Sequence, residues 1–206
     1  CSATCFAACT AESTWSGWIL TEAPGKRNVT GRKEGSMMYI AHADSPVGAL
    51  TLASADGATL SGLWIDGQKY DRALLKGETV EECTTDELPI FRETARWLKL
   101  YFSGQEPNFY PRLSFSGSEF RKKIAREMLS VPYGRTASYK QLAESLAARQ
   151  GKSYVSPHAT GGAVAHNPLL LLIPCHRIIG ADGRLTGYAG GLERKKYLLA
   201  LEAGQL

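Results

Sequence analysis

The residues best suited to do chemistry are Cys175 and His176, which are neighbours in Ile173-Pro174-Cys175-His176-Arg177. The pentapeptide follows the apolar run 169–172, so the sequence predicts a buried segment that ends in a thiol. Proline restricts the backbone before the cysteine, and an imidazole beside a thiol can act as its base. An isolated pair of this kind is more often a structural cysteine with polar neighbours, so it assigns no activity by itself.

A carboxylate on the last predicted helix, 193–203, is a second candidate. Glu202 follows Leu198 by four residues and Leu199 by three, which places it toward the apolar face of that helix. A buried carboxylate needs a partner, and a histidine or an arginine is the natural one. The glycine-rich segment 187–191 predicts a flexible loop before this helix.

Two short helices are predicted ahead of the Cys-His pair, and together they resemble a helix-turn-helix. Ser138 and Gln141 form a capping box that opens the first. Ser156 as cap and Pro157 open the second, which Asn167-Pro168 ends. The face of the second helix carries mostly small side chains, namely those of His158, Ala159, Gly161, Gly162, Ala163 and Ala165. Small residues permit close approach to a narrow DNA groove, or tight packing against another helix.

Charge is divided unevenly along the 206 residues, whose formal net charge is +4. Residues 37–117 carry 7 Lys and Arg against 11 Asp and Glu, whereas residues 118–206 carry 13 against 6. A basic half indicates a polyanionic partner, although a solvated basic surface is a common alternative.

No apolar run is long enough to span a membrane. Three of the five cysteines crowd the first nine residues, which leaves only Cys83 and Cys175 later; this favours a reducing compartment and no metal site.

The first half predicts a small α/β domain. Short runs at 39–41, 48–53 and 60–65 predict an antiparallel meander, and residues 66–88 are acidic and irregular. Pro89 begins a helix that ends near Gly104. We therefore expect a disordered or non-native extension over 1–36, a structural domain over 37–104, a linker over 105–117 and a mainly helical domain over 118–206, where Ser118 caps the first helix.

Taken in order, these features resemble the 6-O-alkylguanine-DNA alkyltransferases, DNA repair proteins that sacrifice themselves in a single reaction. The resemblance covers about residues 114–204, from Tyr139 through the small-residue helix and Asn167-Pro168 to Pro174-Cys175-His176-Arg177, Gly187-Tyr188-Ala189-Gly190-Gly191 and Glu202. It implies an α/β (α+β) fold in which a ribonuclease-H-like N-terminal domain precedes a winged helix-turn-helix-like DNA-binding and catalytic domain. It also implies a monomer without cofactor, in the cytoplasm or, in a eukaryote, the nucleus.

The resemblance further implies roles for single residues. Cys175 would take the alkyl group from 6-O-alkylguanine, and from 4-O-methylthymine, in double-stranded DNA; His176 would act through a water, oriented by Glu202. Tyr139 would donate a proton to the guanine, and Asn167 would brace the turn that carries the nucleophile. The implied substrate-binding residues are Ile178, Tyr188, Ala189 and Leu170, and the implied DNA-binding residues are Ser156, His158, Ala159, Gly161, Gly162 and Arg177.

Three positions depart from the family pattern. His158 stands where an arginine fills the gap left by the extruded base, which puts the efficiency of extrusion in question. Leu170 stands at a frequent proline and Ala189 at a frequent serine, and both changes bear on tolerance for bulky alkyl groups.

Three other functions compete with alkyl transfer. A helix-turn-helix regulator would carry polar base-reading side chains where Gly161 and Gly162 stand. A lesion-sensing alkyltransferase-like protein would lack the nucleophile at Cys175. A cysteine hydrolase using Cys175, His176 and Glu202 would leave the basic half unexplained, and its nucleophile and base would rarely be sequence neighbours.

Overall fold

The computed structural model describes residues 20–22 and 37–206. The first half begins with the short strand β1 (Leu20–Glu22), and four more strands follow: β2 (Met37–Ala43), β3 (Leu50–Ser54), β4 (Gly62–Ile65) and β5 (Thr79–Glu82). The last four form a sheet in the order β4-β3-β2-β5. β2, β3 and β4 pair antiparallel, which confirms the predicted meander, whereas β5 pairs parallel with β2.

Helix α1 (Pro89–Phe102) begins at the predicted proline, and its buried side chains join those of the sheet in one hydrophobic core. Its buried side includes Phe91, Trp97 and Tyr101, and the last two rings stack with centroids 5.1 Å apart. The helix therefore places Tyr101 deep in the molecule, one residue before its C-terminal end.

The second half is mainly helical. It contains β6 (Leu113–Phe115), α2 (Glu119–Leu129), β7 (Ala137–Ser138), α3 (Tyr139–Arg149), α4 (Pro157–Ala165), β8 (Ile178–Ile179) and α5 (Leu192–Glu202). The predicted caps are confirmed: the hydroxyls of Ser118, Ser138 and Ser156 each accept a hydrogen bond from a backbone N–H of the first turn. The Gln141 side chain completes the capping box on the Ser138 N–H at 2.7 Å. The mixed α/β class expected from the sequence is confirmed.

Five strands were not predicted, and two of them, β7 and β8, are two residues long and pair parallel with each other. β5 lies in the acidic stretch and β6 in the expected linker, while β1 pairs parallel with β6 inside the expected extension. Every residue of β5 is exposed, so this edge strand has no alternating pattern, and β6 is three buried residues long. At Leu20–Glu22 the structure differs from the expected disorder; the rest of 1–36 lies outside the described residues. The domain boundaries stay predictions.

A continuous core joins the two halves. Leu63 of β4 donates its N–H to Pro168 O at 2.8 Å, and its own carbonyl accepts from the Leu170 N–H at 3.0 Å. The apolar segment that leads to Cys175 is therefore bonded to the sheet of the first half. Within the described residues, no helix is long and apolar enough to cross a membrane.

We predict that Gly62→Ala destabilises the fold, because a Cβ at this position would lie 2.0 Å from the buried ring of Trp64. Overpacking of this kind costs about 1–3 kcal/mol of unfolding free energy. Urea unfolding of Gly62→Ala and Gly162→Ala provides a matched pair, because a Cβ at Gly162 has nothing within 4 Å. Equal stability of the two variants would contradict the tight Gly62–Trp64 packing.

Candidate active site

Cys175 lies at the end of a fully buried apolar segment shaped by two tight turns. The Leu172 N–H donates to Leu170 O at 2.8 Å across Leu171, whose φ is 68°. The Cys175 N–H donates to Ile173 O at 2.7 Å across Pro174, which has φ −79° and ψ 63°, the values of an inverse γ-turn. A positive φ at a leucine costs about 1–3 kcal/mol, and the surrounding core holds it.

Asn167 fixes this segment from inside. Its amide nitrogen donates to Ile173 O at 2.8 Å and to Leu169 O at 3.3 Å, and its oxygen accepts from the Leu169 N–H at 3.1 Å. The Asn167 side chain thus links both ends of the segment, which agrees with the bracing role that the resemblance implies.

His176 follows the thiol on a 3-10 turn, Cys175–Arg177, and is completely buried. Its Nε2 lies 2.7 Å from Oε1 of Glu202, at the end of α5. The Nδ1 atom, also buried, has no hydrogen-bond partner among the residues that the structure describes. The structure therefore joins the predicted imidazole and carboxylate beside the buried residue that carries the thiol, and leaves Nδ1 as the ring nitrogen available.

Arg177 does not lie at the protein surface, where a DNA contact would need it. Its Nε donates to Glu202 Oε2 at 2.9 Å, its Nη2 to Oε1 at 3.1 Å and its Nη1 to Val131 O at 2.7 Å. The guanidinium is buried. The position of Arg177 is that of an internal ion pair, so its assignment to DNA binding is corrected; a buried carboxylate needs a permanent countercharge.

Two further groups complete the surroundings of Glu202 and were missed from the sequence. The Gly134 N–H donates to Oε2 at 3.1 Å, and the Tyr101 hydroxyl donates to Oε1 at 2.8 Å. The same hydroxyl oxygen is 3.2 Å from His176 Nε2. Tyr101 comes from α1, in the half to which we assigned only structural support, and its sequence signal was only that of a core position.

The protonation states follow from burial and these contacts. Burial by itself raises the pKa of Glu202, but the hydrogen bonds and charges of His176 and Arg177 outweigh it and lower the pKa to about 2. Burial lowers the pKa of His176 despite the carboxylate. Burial also raises the pKa of Cys175, against the opposing effects of the Asn167 hydrogen bond and the Lys195 charge. At neutral pH the site holds a thiol, a neutral imidazole and an ionised carboxylate.

The glycine-rich loop is held by two side chains. The Tyr139 hydroxyl lies 3.2 Å from Thr186 O and 3.3 Å from Gly187 O. Lys195, which sequence analysis missed, is buried and donates from Nζ to the same two carbonyls, at 2.6 and 3.3 Å, and to Ile178 O. Burial lowers its pKa to about 8. These contacts fasten the loop to β8 and thus to the turn of Cys175.

The four expected substrate-binding residues occupy different surroundings. Ile178 and Leu170 are completely buried, and Tyr188 is half-buried with its ring centroid 6.5 Å from that of His176. The Tyr188 hydroxyl has no hydrogen-bond partner within residues 37–206 or 20–22. The carbonyl of Ala189 accepts the Lys69 N–H at 2.9 Å, so the first half also contacts the loop.

Helix α4 presents the expected small-residue surface. His158, Ala159 and Gly162 are exposed, whereas Gly161 packs against the Tyr139 ring, and Ser156 caps the helix. A Cβ at Gly161 would lie 3.8 Å from that ring, in ordinary contact. The described residues contain no cluster of three or more His, Cys, Asp or Glu that could hold a metal ion.

Known proteins are similar to this chain in sequence. Residues 119–204 match the family model described as 6-O-methylguanine DNA methyltransferase, DNA binding domain. A methylated-DNA–protein-cysteine methyltransferase from Mycolicibacterium paratuberculosis is 40% identical over 159 residues, which cover 77% of this chain and 88% of that protein. One from Methanosarcina barkeri is 37% identical, with 82% and 99% covered. The chain belongs to the methylated-DNA–protein-cysteine methyltransferase family.

Solved structures of family members agree with the fold. The Mycobacterium tuberculosis O6-methylguanine methyltransferase is 35% identical and superimposes with a TM-score of 0.68, covering 82% of this chain and 95% of that chain. The M. tuberculosis OGT in complex with DNA superimposes with a TM-score of 0.66 at 33% identity, covering 81% and 94%. Membership of this family argues against the regulator and the hydrolase, and the presence of Cys175 argues against the lesion sensor.

We predict an acid-sensitive contribution to stability from Glu202. Its folded pKa lies below the ordinary carboxyl value, so the stabilisation is complete above about pH 4.5 and is lost as the pH falls toward 2. Glu202→Gln leaves the Arg177 charge buried without a countercharge. It should lower the unfolding free energy at pH 7 by about 3–5 kcal/mol and flatten the acid dependence.

Urea unfolding between about pH 2 and pH 7 measures this effect. Glu144→Gln is the control, because Glu144 is an exposed carboxylate 3.8 Å from Lys140 and its loss should change stability by less than about 1 kcal/mol. An unchanged acid dependence in Glu202→Gln would contradict the assignment of an ionised buried carboxylate.

Proposed function

We propose that this chain repairs alkylated double-stranded DNA by transferring an alkyl group from O6 of guanine to Sγ of its own Cys175. One observation carries the proposal. In a member of this family, a buried thiol is followed by a neutral imidazole whose Nε2 is bonded at 2.7 Å to an ionised carboxylate. This set of groups is suited to deprotonating a thiol in a site closed to bulk water.

The transfer is a single displacement. The sulfur bonds to the alkyl carbon as the bond between that carbon and guanine O6 breaks, and the thiol proton passes through a water to His176. Because burial raises the pKa of Cys175, the thiolate needs this base at neutral pH. The product is a thioether, which water does not cleave, so each protein molecule repairs one base.

Protein groups around the thiol support the displaced base. Tyr139 donates a proton or hydrogen bond to the guanine, which makes it a better leaving group. Its hydroxyl first has to exchange the carbonyls of the 186–187 loop for the base. Ile178, Tyr188, Ala189 and Leu170 shape the pocket, and Asn167 keeps the turn of Cys175 in place.

Helix α4 provides the contact with DNA. A base inside the duplex must be rotated out at a cost of a few kcal/mol. We assign the groove contact to Ser156, His158, Ala159, Gly161 and Gly162, because their small or short side chains allow the helix axis to approach the minor groove. His158 is exposed near the start of α4, and we assign to it the entry into the space left by the base.

The remaining properties follow from the same function. We propose 4-O-methylthymine as a second substrate and a monomer as the active form. The cysteines of the described part, Cys83 and Cys175, are both free. A free nucleophilic thiol requires reducing surroundings, so we propose the cytoplasm, or the nucleus in a eukaryote.

The direct test is the mass of the protein after incubation with a duplex that contains one 6-O-methylguanine. Wild type should gain one methylene, confined to the peptide that contains Cys175, and the gain should stop at one per molecule. Cys83→Ser, which removes the other described free thiol, should behave like wild type, and Cys175→Ser should gain nothing. A methylene on any other residue, or continued turnover, would refute the proposal.

We predict that Gly162→Ala separates folding from DNA binding. The added Cβ meets open space in the free protein and raises helix propensity, so the unfolding free energy should stay constant or rise by about 1 kcal/mol. If α4 lies close against the groove, the same methyl group should weaken binding to duplex DNA by about tenfold, or about 1.4 kcal/mol. Fluorescence anisotropy with a labelled duplex measures the affinity, and unaltered affinity would exclude Gly162 from the contact.

A further inference from the structure

Tyr101 is a polar group in the site for which the mechanism above has no role. It lies on α1 and is completely buried, and its hydroxyl is 2.8 Å from Glu202 Oε1 and 3.2 Å from His176 Nε2. Burial, reinforced by the charge of Glu202, raises the pKa of Tyr101, so the hydroxyl stays protonated.

The direction of the hydrogen bonds among Tyr101, Glu202 and His176 follows from which of these groups can donate a proton. Ionised Glu202 can only accept, so the single Tyr101 proton points to Oε1. The hydroxyl oxygen then turns its lone pairs toward His176 Nε2, as does the carboxylate oxygen 2.7 Å from the same atom. Two acceptors facing Nε2 favour the tautomer that carries its proton there, which leaves the lone pair on Nδ1.

We propose that Tyr101 is a positioning residue that holds His176 in the Nε2–H tautomer, so that Nδ1 is the basic atom for the Cys175 proton. The inference deepens the proposed function and rests on it. It also assigns the first half of the chain a part in the reaction, because α1 must pack against the site for the His176 ring to hold the correct tautomer.

Tyr101→Phe removes the hydroxyl and keeps the ring that stacks on Trp97. Tyr133→Phe is the matched control, because this hydroxyl is also buried in the same cluster but has no hydrogen-bond partner among the described residues. Its ring centroid lies 6.1 Å from that of Tyr101, so both variants lose an oxygen from neighbouring places.

The first measurement is the rate of methyl transfer from a 6-O-methylguanine duplex, with protein in saturating excess, across about pH 6 to 10. Tyr101→Phe should transfer about tenfold more slowly near pH 7. The deficit should shrink as the pH rises toward about 10, because a growing fraction of the thiol is then ionised without the help of the base. Tyr133→Phe should match wild type throughout.

The second measurement is the 15N NMR spectrum of the His176 ring, assigned by comparison with His176→Gln. Wild type should show a protonated Nε2 and an unprotonated Nδ1, and Tyr101→Phe should show a mixture of tautomers. This readout does not need transfer activity, so if wild type fails to take up methyl the proposed function fails while the tautomer still decides the role of Tyr101.

Two results would overturn the inference. An unchanged tautomer in Tyr101→Phe, with rates equal to wild type at every pH, would mean that the hydroxyl has no positioning role. A deficit of the same size at every pH, together with a lower thermal midpoint, would mean that Tyr101 contributes only to stability.

Discussion

The carboxylate of Glu202 is the group on which the rest of the site depends. It accepts hydrogen bonds from Tyr101, Gly134, His176 and Arg177, and these donors come from α1, the turn after α2 and the 3-10 turn of Cys175. Removing a charge from water costs several kcal/mol unless all its acceptor positions are satisfied. The carboxylate is therefore stable only when these elements are assembled around it, which links the formation of the site to the folding of both halves.

The same arrangement keeps the thiol unreactive at rest and provides a base for its reaction. Burial raises the pKa of Cys175, so the resting protein holds an unreactive thiol rather than a thiolate exposed to oxidants. A molecule that reacts once benefits from this protection, because an oxidised cysteine cannot carry out that one reaction. The cost is dependence on a correctly oriented base. His176, with Nε2 held by Glu202, is that base in the mechanism proposed above, and the buried Arg177 keeps the carboxylate ionised.

Backbone geometry supplies the remaining precision. The positive φ of Leu171 and the γ-turn at Pro174 point the chain toward the site, and the Asn167 side chain closes the segment. Lys195 and Tyr139 hold the glycine-rich loop by hydrogen bonds to its backbone carbonyl oxygens, so these contacts do not use side chains of the loop. Because the loop is held through its backbone, position 189 can carry alanine or another small residue while these hydrogen bonds remain.

The sequence alone determined the local features. Caps at Ser118, Ser138 and Ser156 depend on neighbouring backbone groups, and the patterns of the helices and of β2, β3 and β4 depend on nearby residues, so these predictions were confirmed. Recognition of Cys175, His176 and Glu202 also required only residue type and order. The exposed strand β5 and the short strand β6 have too little pattern of their own, because their pairing is decided by distant strands.

Only the tertiary structure decided which groups surround the carboxylate. Arg177 carries the same sequence signal whether it faces DNA or an internal anion, and Tyr101 reads as one more aromatic residue of a buried helix face. Their positions depend on how α1 and the 3-10 turn of Cys175 pack against the end of α5. Tyr101 and Glu202, which are in contact, are 101 residues apart. Contacts over such separations leave no periodic trace in the chain, whereas the buried charge they satisfy makes them essential to the fold.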